Sequence, residues 1–363
     1  MVRGARMMDS VRTDQIDRAR ARLRDLARSA QDSSGYRRGV LEVIETLVPW
    51  DGAVFVEFDP ASHLATAATC VDLDADQCAT AFDIELGARD SDGYEQMADA
   101  GTAVATLSRR LGDQRGHSAR YRELYQPFGL HDELRAVAQS AGSCWGGLSL
   151  AREPGRDFTD DDAAAIGAIQ GVIAEGLRAM LVRGAVTQPP PTGPAVIILG
   201  PDGAVESGTD QALALLARPD QSEPAAFAPA VHAVAARVRA SSTGIARARL
   251  RGADGTWLVL HAAPLRTDGP GRVVVTIEPA RPPEIVTIVA AVIGLSPRET
   301  EVLEHLLAGR TSVEIARKLF LSPHTVNDHV RHIFEKTGVH TRQELMTWLF
   351  FSHYVDRLNT EPS

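Results

Sequence analysis

The spacing of apolar residues changes period several times along the chain, and each change marks an element. Ile16, Ala19, Leu23, Leu26 and Ala30 recur at steps of three and four, which predicts a basic amphipathic helix that must pack on something. Alternation takes over in 51–59, 64–71, 103–107, 133–139 and 143–151, which read as strands. A long helix then opens at Thr159. Its hydroxyl is placed to cap the helix end, Asp162 to reach back, and Asp160 and Asp161 to complement the dipole. Ile166, Ile169, Ile173, Leu177 and Met180 form the apolar line of that helix. Helix, antiparallel strands and closing helix together predict an α+β sheet domain over 1–183.

Gln-Pro-Pro-Pro-Thr-Gly-Pro within 184–194 cannot continue the helix and favours an extended linker. Beyond it, 195–280 reads as a strand at 196–199, a Pro-Asp-Gly turn, a short strand and small helices. A hairpin of 245–251 with 256–264 follows across Gly-Ala-Asp-Gly, and a last strand covers 272–278. A second proline cluster, 279–283, marks the next break.

The third block, 285–355, is punctuated differently. Ser296-Pro-Arg-Glu299 is a capping box with proline at the first helical position, and the helix it starts stops at Gly309. Thr311-Ser-Val-Glu314 opens a second helix in the same way, and Ser322-Pro-His-Thr325 opens a third that stops at Gly338. Such a run builds helices crossing steeply over a tight turn. On the third helix Val326, Val330, Ile333, Phe334 and Thr337 share the core side, while His324, Asn327, Asp328 and Arg331 share the other. That outer face alone suits a solvated surface helix as well as one reading base edges in the major groove.

Composition narrows the choices. The 363 residues are too many for one ordinary domain, and 44% hydrophobic with 23% charged residues is a globular balance. The longest apolar run, Ile285–Leu295, is shorter than the roughly 20 residues of a membrane span, and the Arg-rich start lacks the apolar stretch of a secretory signal. These features predict a cytoplasmic protein with no membrane partner. Cys70, Cys78 and Cys144 show no C-x-x-C pairing and read as reduced, mostly buried thiols. The net charge of −9 argues against a nucleic-acid partner, but within 296–350 the acidic and basic side chains balance, so the acidity lies elsewhere. His329 and His332 lack further metal ligands nearby, Asp160–Asp162 are explained by capping, and no Walker loop, nucleophile elbow or zinc-protease motif occurs. No metal, cofactor or catalytic residue is expected, and the chain does not read as an enzyme.

Two resemblances add to this. Gly-Leu-His-Asp-Glu-Leu-Arg (129–135), Cys-Trp-Gly-Gly-Leu-Ser-Leu-Ala-Arg (144–152) and Phe158-Thr-Asp-Asp-Asp resemble the GAF sensor domains fused to regulators in high-GC bacteria, and the order of elements in 195–280 resembles a PAS-like domain. More specifically, Leu-Ser-Pro-Arg-Glu-Thr-Glu-Val-Leu (295–303), Glu314-Ile-Ala, Leu321-Ser-Pro-His-Thr-Val, Lys336-Thr-Gly-Val and Arg342-Gln-Glu-Leu closely resemble the LuxR/NarL helix-turn-helix. That resemblance implies a multidomain α+β regulator with an all-α DNA-binding end. It assigns Ile315, Ala316, Leu319, Val326 and Ile333 to the seam, Asn327, Asp328 and Arg331 to bases, and Thr325, His329 and Lys336 to the DNA backbone, beside Ser322 and His324 at the helix start. Many members carry lysine after Thr-Val, where this chain has Asn327 and then Asp328, removing a cation and adding an anion at the groove.

The partners expected are double-stranded promoter or operator DNA, a second copy in a homodimer, a small-molecule effector in the GAF-like domain and, as a further candidate, RNA polymerase. Leu345, Trp348 and Leu349, with the stripes on the first helix and on 159–181, are the candidate dimer surfaces. Tyr121, Tyr125, Arg135 and Trp145 are the candidate effector ligands, an aromatic box with one cation suited to an acidic or aromatic metabolite; plain packing is the competing reading for Trp145. Two other classes stay open: a haem- or flavin-type redox sensor using His117, His131 or Cys144, and an interaction scaffold whose DNA-binding end is degenerate.

Overall fold

The computed structural model describes residues 2–73, 80–81, 84–85, 90, 92–183, 195–216, 228–241, 244–251, 257–266, 271–280, 282–346 and 348. The linker at 184–194, the hairpin turn at 252–256 and Leu349 lie outside them.

Two five-stranded antiparallel sheets carry the N-terminal and middle parts. The first unit begins with α1 (Val2–Ser29) and α2 (Ser33–Leu47), then β1 (Gly52–Phe58) and β2 (Ala65–Val71). After α3 (Tyr94–Asp99), β3 (Val104–Thr106) and α4 (Leu107–Leu111) come short 3-10 and π turns, then β4 (Asp132–Ser140), β5 (Ser143–Arg152) and α5 (Asp160–Arg183). The strand order is β2-β1-β5-β4-β3. The second unit contains β6 (Ala195–Leu199), β7 (Val205–Gly208), α6 (Asp210–Leu216), α7 (Ala228–Ala240), β8 (Ala246–Arg251), β9 (Trp257–Pro264) and β10 (Val273–Pro279), in the order β7-β6-β10-β9-β8. Both sheets thus have the same connectivity: the fifth strand central, the first between it and the second, and the second and third at the edges.

One face of the first sheet buries Phe55, Leu134, Ala136, Leu148 and Leu150 against α2 and α5, with Ile166, Ile169 and Ile173 of α5 fully or nearly fully buried. The cap of α5 forms as its sequence implies: the Asp162 amide donates to Thr159 Oγ1 at 3.1 Å, and Asp162 Oδ2 accepts from the Thr159 amide at 3.0 Å. By length and composition α5 is apolar enough to span a bilayer, but its apolar line is spent on the sheet. Ala19 and Leu23 of α1 are buried in the same core. The α1 and α5 stripes thus pack in one core within the chain, with Ile16, Leu26 and Leu181 partly buried at its edge.

The other face of the first sheet meets the second unit. Val54, Val56, Phe58, Leu64, Ala65 and Ala68 share one core with Val231, Val234 and Val238 of α7 and with the second sheet. Arg249 of β8 donates to buried Asp59 Oδ2 from its amide at 3.0 Å and from Nη1 at 3.1 Å. The sequence suggests beads in series; the apolar outer positions of β1 and β2 join the first two units instead.

The break expected at 279–283 starts a helix. Proline costs nothing at a first helical turn, whose amides have no intrahelical acceptor. The resulting α8 (Pro282–Ile293) is apolar on every side because it has three neighbours. Ile285 and Ile288 pack with Trp257 and Val259 of the second unit, Val286, Val289 and Ala290 with the C-terminal helices, and Ala291 and Val292 on the first core.

The C-terminal helices are α9 (Pro297–Leu307), α10 (Ser312–Leu319) and α11 (Pro323–Thr337). Gly309 and Gly338 take φ of 82° and 71°, left-handed positions where a side chain would be strained. Residues 342–346 are helical, and Leu345 is fully buried in this core with Trp348 packed against it. Leu345 thus serves to close the domain, with Trp348 half-buried beside it.

Candidate nucleic-acid interface and interdomain cavity

The recognition candidate α11 is fixed by its ends and its seam. The Ser322 hydroxyl accepts from the Thr325 amide at 3.0 Å and lies 2.9 Å from the Thr325 hydroxyl, so both residues shape the helix start. Val326 and Ile333 are fully buried against Ile315 and Ala316 of α10. That leaves His324, Asn327 and Arg331 exposed, with Asp328 and His329 half-buried. Asp328 sits 3.2 Å from Arg331 Nη2 and 3.6 Å from His324 Nε2. The anion that departs from the family pattern is thus held by neighbours one turn away on either side, and it holds Arg331 along the helix.

Lys336 is placed differently from its assigned role. Its Nζ donates to Glu299 Oε2 at 2.6 Å and to the Gly294 carbonyl at 3.0 Å. Glu299 is the capping-box residue of α9; burial opposes its charge, but Lys336 and the Ser296 groups hold its carboxyl below the usual range. Lys336 therefore ties α11 to α9 in this structure. Arg298 and Arg342 are also turned inward, to the Leu319 carbonyl at 2.5 Å and the Arg310 carbonyl at 2.8 Å. The exposed cations of α10 are Arg317 and Lys318, which the sequence reasoning did not select. Their adjacency to the α11 start was the available signal.

The second polar feature is a cavity of about 430 Å³ between the first sheet and α7. Val54, Val56, Phe58, Ala65 and Leu124 form its apolar walls, Tyr94, Tyr125, Arg120, Arg135, Ser149 and Glu85 its polar floor, and Arg237, Ala240 and Ser241 its second-unit edge. Glu133 lies behind the floor, 1% exposed. It accepts from Arg120 Nε at 3.0 Å, Tyr125 Oη at 2.6 Å, Ser149 Oγ at 2.9 Å and Arg135 Nη1 at 3.4 Å. Burial pushes this carboxyl up, but Arg120 and Arg135 outweigh it and hold it at about 2. Arg135 also donates to Glu85 Oε2 at 2.6 Å, and its guanidinium lies 3.8 Å from the Tyr94 ring centre. Gly147 permits that stack: a Cβ there would come within 2.6 Å of the Tyr94 ring. Burial drives the Tyr94 hydroxyl up to about 12 against the pull of Arg135, and drives Tyr125 upward too.

Two of the four effector residues expected from sequence, Tyr125 and Arg135, reach this cavity, and two do not. Unbroken alternation would put Trp145 on the cavity face with Gly147 and Ser149. A bulge between Ala138 and Gln139 turns it over, and its indole nitrogen donates to the Ser140 carbonyl at 3.2 Å within the helix-side core. Tyr121 and Tyr125 share a π-helical turn but meet different partners. Tyr121 faces His131, its hydroxyl 3.4 Å from Nδ1. Tyr94, Glu85, Arg120 and Ser149 were missed because they come from four separate segments.

Cys144 is a buried free thiol that burial pushes up to about 11, whereas Cys70 is disulfide-bonded, correcting the expectation that it is reduced. Cys78 lies outside the described residues. His131 and Cys144 stand at opposite ends of the β4–β5 hairpin and do not meet in one site.

Comparison with known proteins places one part of the chain. Residues 294–349 match the profile described as "Bacterial regulatory proteins, luxR family". The CsgBAC operon transcriptional regulatory protein of Escherichia coli (strain K12) is 41% identical over 54 residues, 15% of this chain and 25% of that protein. The probable HTH-type transcriptional regulator GfsR of Streptomyces halstedii is 40% identical over 58 residues, 16% of this chain and 24% of that protein. The match thus spans about a quarter of these relatives. Among solved structures, the phage VqmA–DPO complex aligns at 20% identity over 44% of this chain and 81% of that one, with a TM-score of 0.23, too loose a likeness to carry an argument. With its capped helices, buried seam and polar outer face, the segment 294–349 is a helix-turn-helix domain of the luxR family.

Proposed function

We propose that this chain is a sequence-specific, DNA-binding transcriptional regulator, dimeric on paired half-sites and controlled by a small molecule in the cavity between its first two units. The observation that carries the reading is α11: a capped helix whose one side is fully buried and whose exposed side presents Asn327, Asp328 and Arg331. That is the geometry of a helix reading base edges from its N-terminal half. A single such helix spans too few base pairs to select one site in a genome, which is the argument for a dimer. Promoter DNA as the target implies action in the cytoplasm, with RNA polymerase as a further partner.

Within this reading the first unit is GAF-like and the second PAS-like, a pairing supported by their shared strand order. Helix α8 is suited to couple cavity and DNA-binding end, since it packs on all three cores. Asn327, Asp328 and Arg331 face bases, and Ser322, His324, Thr325 and His329 lie along the approach to the DNA backbone. Arg317 and Lys318 supply phosphate contacts, because Lys336 is committed to Glu299. A degenerate end is the weaker alternative, since His324 and Arg331 already balance the anion that prompts it.

The test is recovery of bound genomic DNA, followed by anisotropy on a recovered site and on random duplex. Specific binding with a salt slope that falls by about one unit in Arg317→Ala supports the reading. Equal affinity for both duplexes overturns it.

A further inference from the structure

The charges around the cavity constrain what it admits. Three guanidiniums, Arg110, Arg120 and Arg135, face four carboxylates, Glu85, Asp90, Asp92 and Glu133, all paired among themselves. At the second-unit edge Arg237 Nη2 is 2.9 Å from Glu95 Oε2. Among the described residues no guanidinium lining the cavity is without a carboxylate partner, and the paired cluster carries one more anion than cation. A ligand carboxylate or phosphate that took Arg135 would displace Glu85, whose side chain is only 16% exposed, and strand that charge in a poorly solvated place.

The hydroxyl protons of the floor are equally constrained. Glu133 is ionised and can only accept. Ser149 therefore spends its single proton on Glu133, and Tyr94, 2.8 Å from Ser149 Oγ, must donate to Ser149. Tyr125 spends its proton on Glu133 as well. Both tyrosine oxygens are left with lone pairs and no proton to offer. Val54, Val56, Phe58 and Ala65 line the same cavity.

We infer that the cavity binds an uncharged, largely apolar molecule bearing an N–H or O–H donor, and that it rejects anions of the same shape. This rests on the reading of the cavity as the effector site and replaces the acidic ligand expected from the lone Arg135. The cavity can hold a two- or three-ring compound, as ligand pockets of roughly 300 Å³ and above do. Its wall comes from both units, so occupancy also bears on how α7 sits against β2.

A matched pair of probes tests this on the full chain. N-phenyl-1-naphthylamine is neutral and carries an N–H donor; 1-anilinonaphthalene-8-sulfonate has the same rings and an added sulfonate. The neutral probe is expected to bind one site at least about tenfold more tightly than the sulfonate. Ala240→Trp, at an exposed position on the cavity edge, should abolish that binding while circular dichroism reports an intact fold. Glu85→Gln, which removes one of the two carboxylates on Arg135, should bring the two affinities together. Equal or tighter sulfonate binding by the wild type overturns the inference, as does neutral binding unaffected by Ala240→Trp, or no binding of the neutral probe. Anisotropy on a recovered DNA site in the same samples separates the failures. If the neutral probe binds as expected but leaves DNA affinity unchanged, the effector reading fails and the ligand class stands.

Discussion

The cavity floor and the recognition helix are both crowded with charge, yet they hold it in opposite settings. Glu133, Arg120 and Arg135 are at most 3% exposed, and each charge is met by another. On α11 the side chains of Arg331 and Asp328 pair at 63% and 37% exposure, in reach of water. Buried pairs are kept by the cost of separating them, whereas exposed pairs contribute little and exchange partners easily. The difference fits the proposed roles: a floor that holds its shape while a ligand comes and goes, and a helix whose Arg331 can leave Asp328 for a base.

The largest effect should come from breaking the buried side of this contrast. Glu133→Ala leaves two guanidiniums and two hydroxyls without their common acceptor, and about 3–5 kcal/mol of stability should be lost. Asp328→Ala on α11 should cost about 0.5 kcal/mol or less. Urea unfolding of both variants checks this, and similar values would mean that the floor is as solvated as the helix.

Acid should expose the same contrast. Glu133 titrates at about 2 in the fold, below the roughly 4.3 of a free glutamate, so its pairing stabilises fully above the unfolded value. That contribution is lost as pH falls through 4 toward 2. Stability should decline over this window in the wild type, and the decline should be shallower in Glu133→Gln. Parallel pH profiles would show that other carboxylates dominate, Glu299 foremost, whose carboxyl is also held low.

How much of each region the sequence reveals follows from the range of its contacts. The helix-turn-helix is written locally: Ser296, Thr311 and Ser322 cap within three residues, and Gly309 and Gly338 stop what the caps start. The cavity is assembled from 54–58, 85, 94, 120–125, 135 and 149, joined only by strand register and by an irregular turn. Alternation located the strands but not the bulge that turns Trp145 away, nor the contact with His131 that holds Tyr121 outside the cavity. The pairing of Lys336 was not legible, because a residue's number on a helix wheel does not show that Glu299 is within reach of its amine.

DNA binding gives effects of middle size. Asn327→Ala and Arg331→Ala should each weaken specific binding by about 1–3 kcal/mol and leave random DNA nearly unchanged. Lys336→Ala should instead lower the melting temperature of the domain, since buried Glu299 loses its partner. Anisotropy beside thermal unfolding separates the two kinds. If Lys336→Ala weakens binding to every duplex without a change in melting, the lysine leaves Glu299 for phosphate on the DNA.

The smallest effect concerns Phe320, between α10 and α11. Its backbone is left-handed, with φ of 55°, and its ring is 94% exposed. A left-handed backbone costs an L-residue about 1–2 kcal/mol, whereas glycine adopts it freely at some expense in unfolded-state entropy. The bare ring has almost no packing to lose, so Phe320→Gly should raise stability by about 0.5–1 kcal/mol. Thermal unfolding measures that gain, and a loss would mean that the ring has a partner within the chain. The same variant should be assayed on DNA, because the ring stands two residues before the Ser322 cap of the recognition helix. Stability that rises while promoter affinity falls would show strain kept for contact at the interface. If both rise, the left-handed phenylalanine is a plain cost of the turn, and the exposed side of the contrast holds less function than its charges suggest.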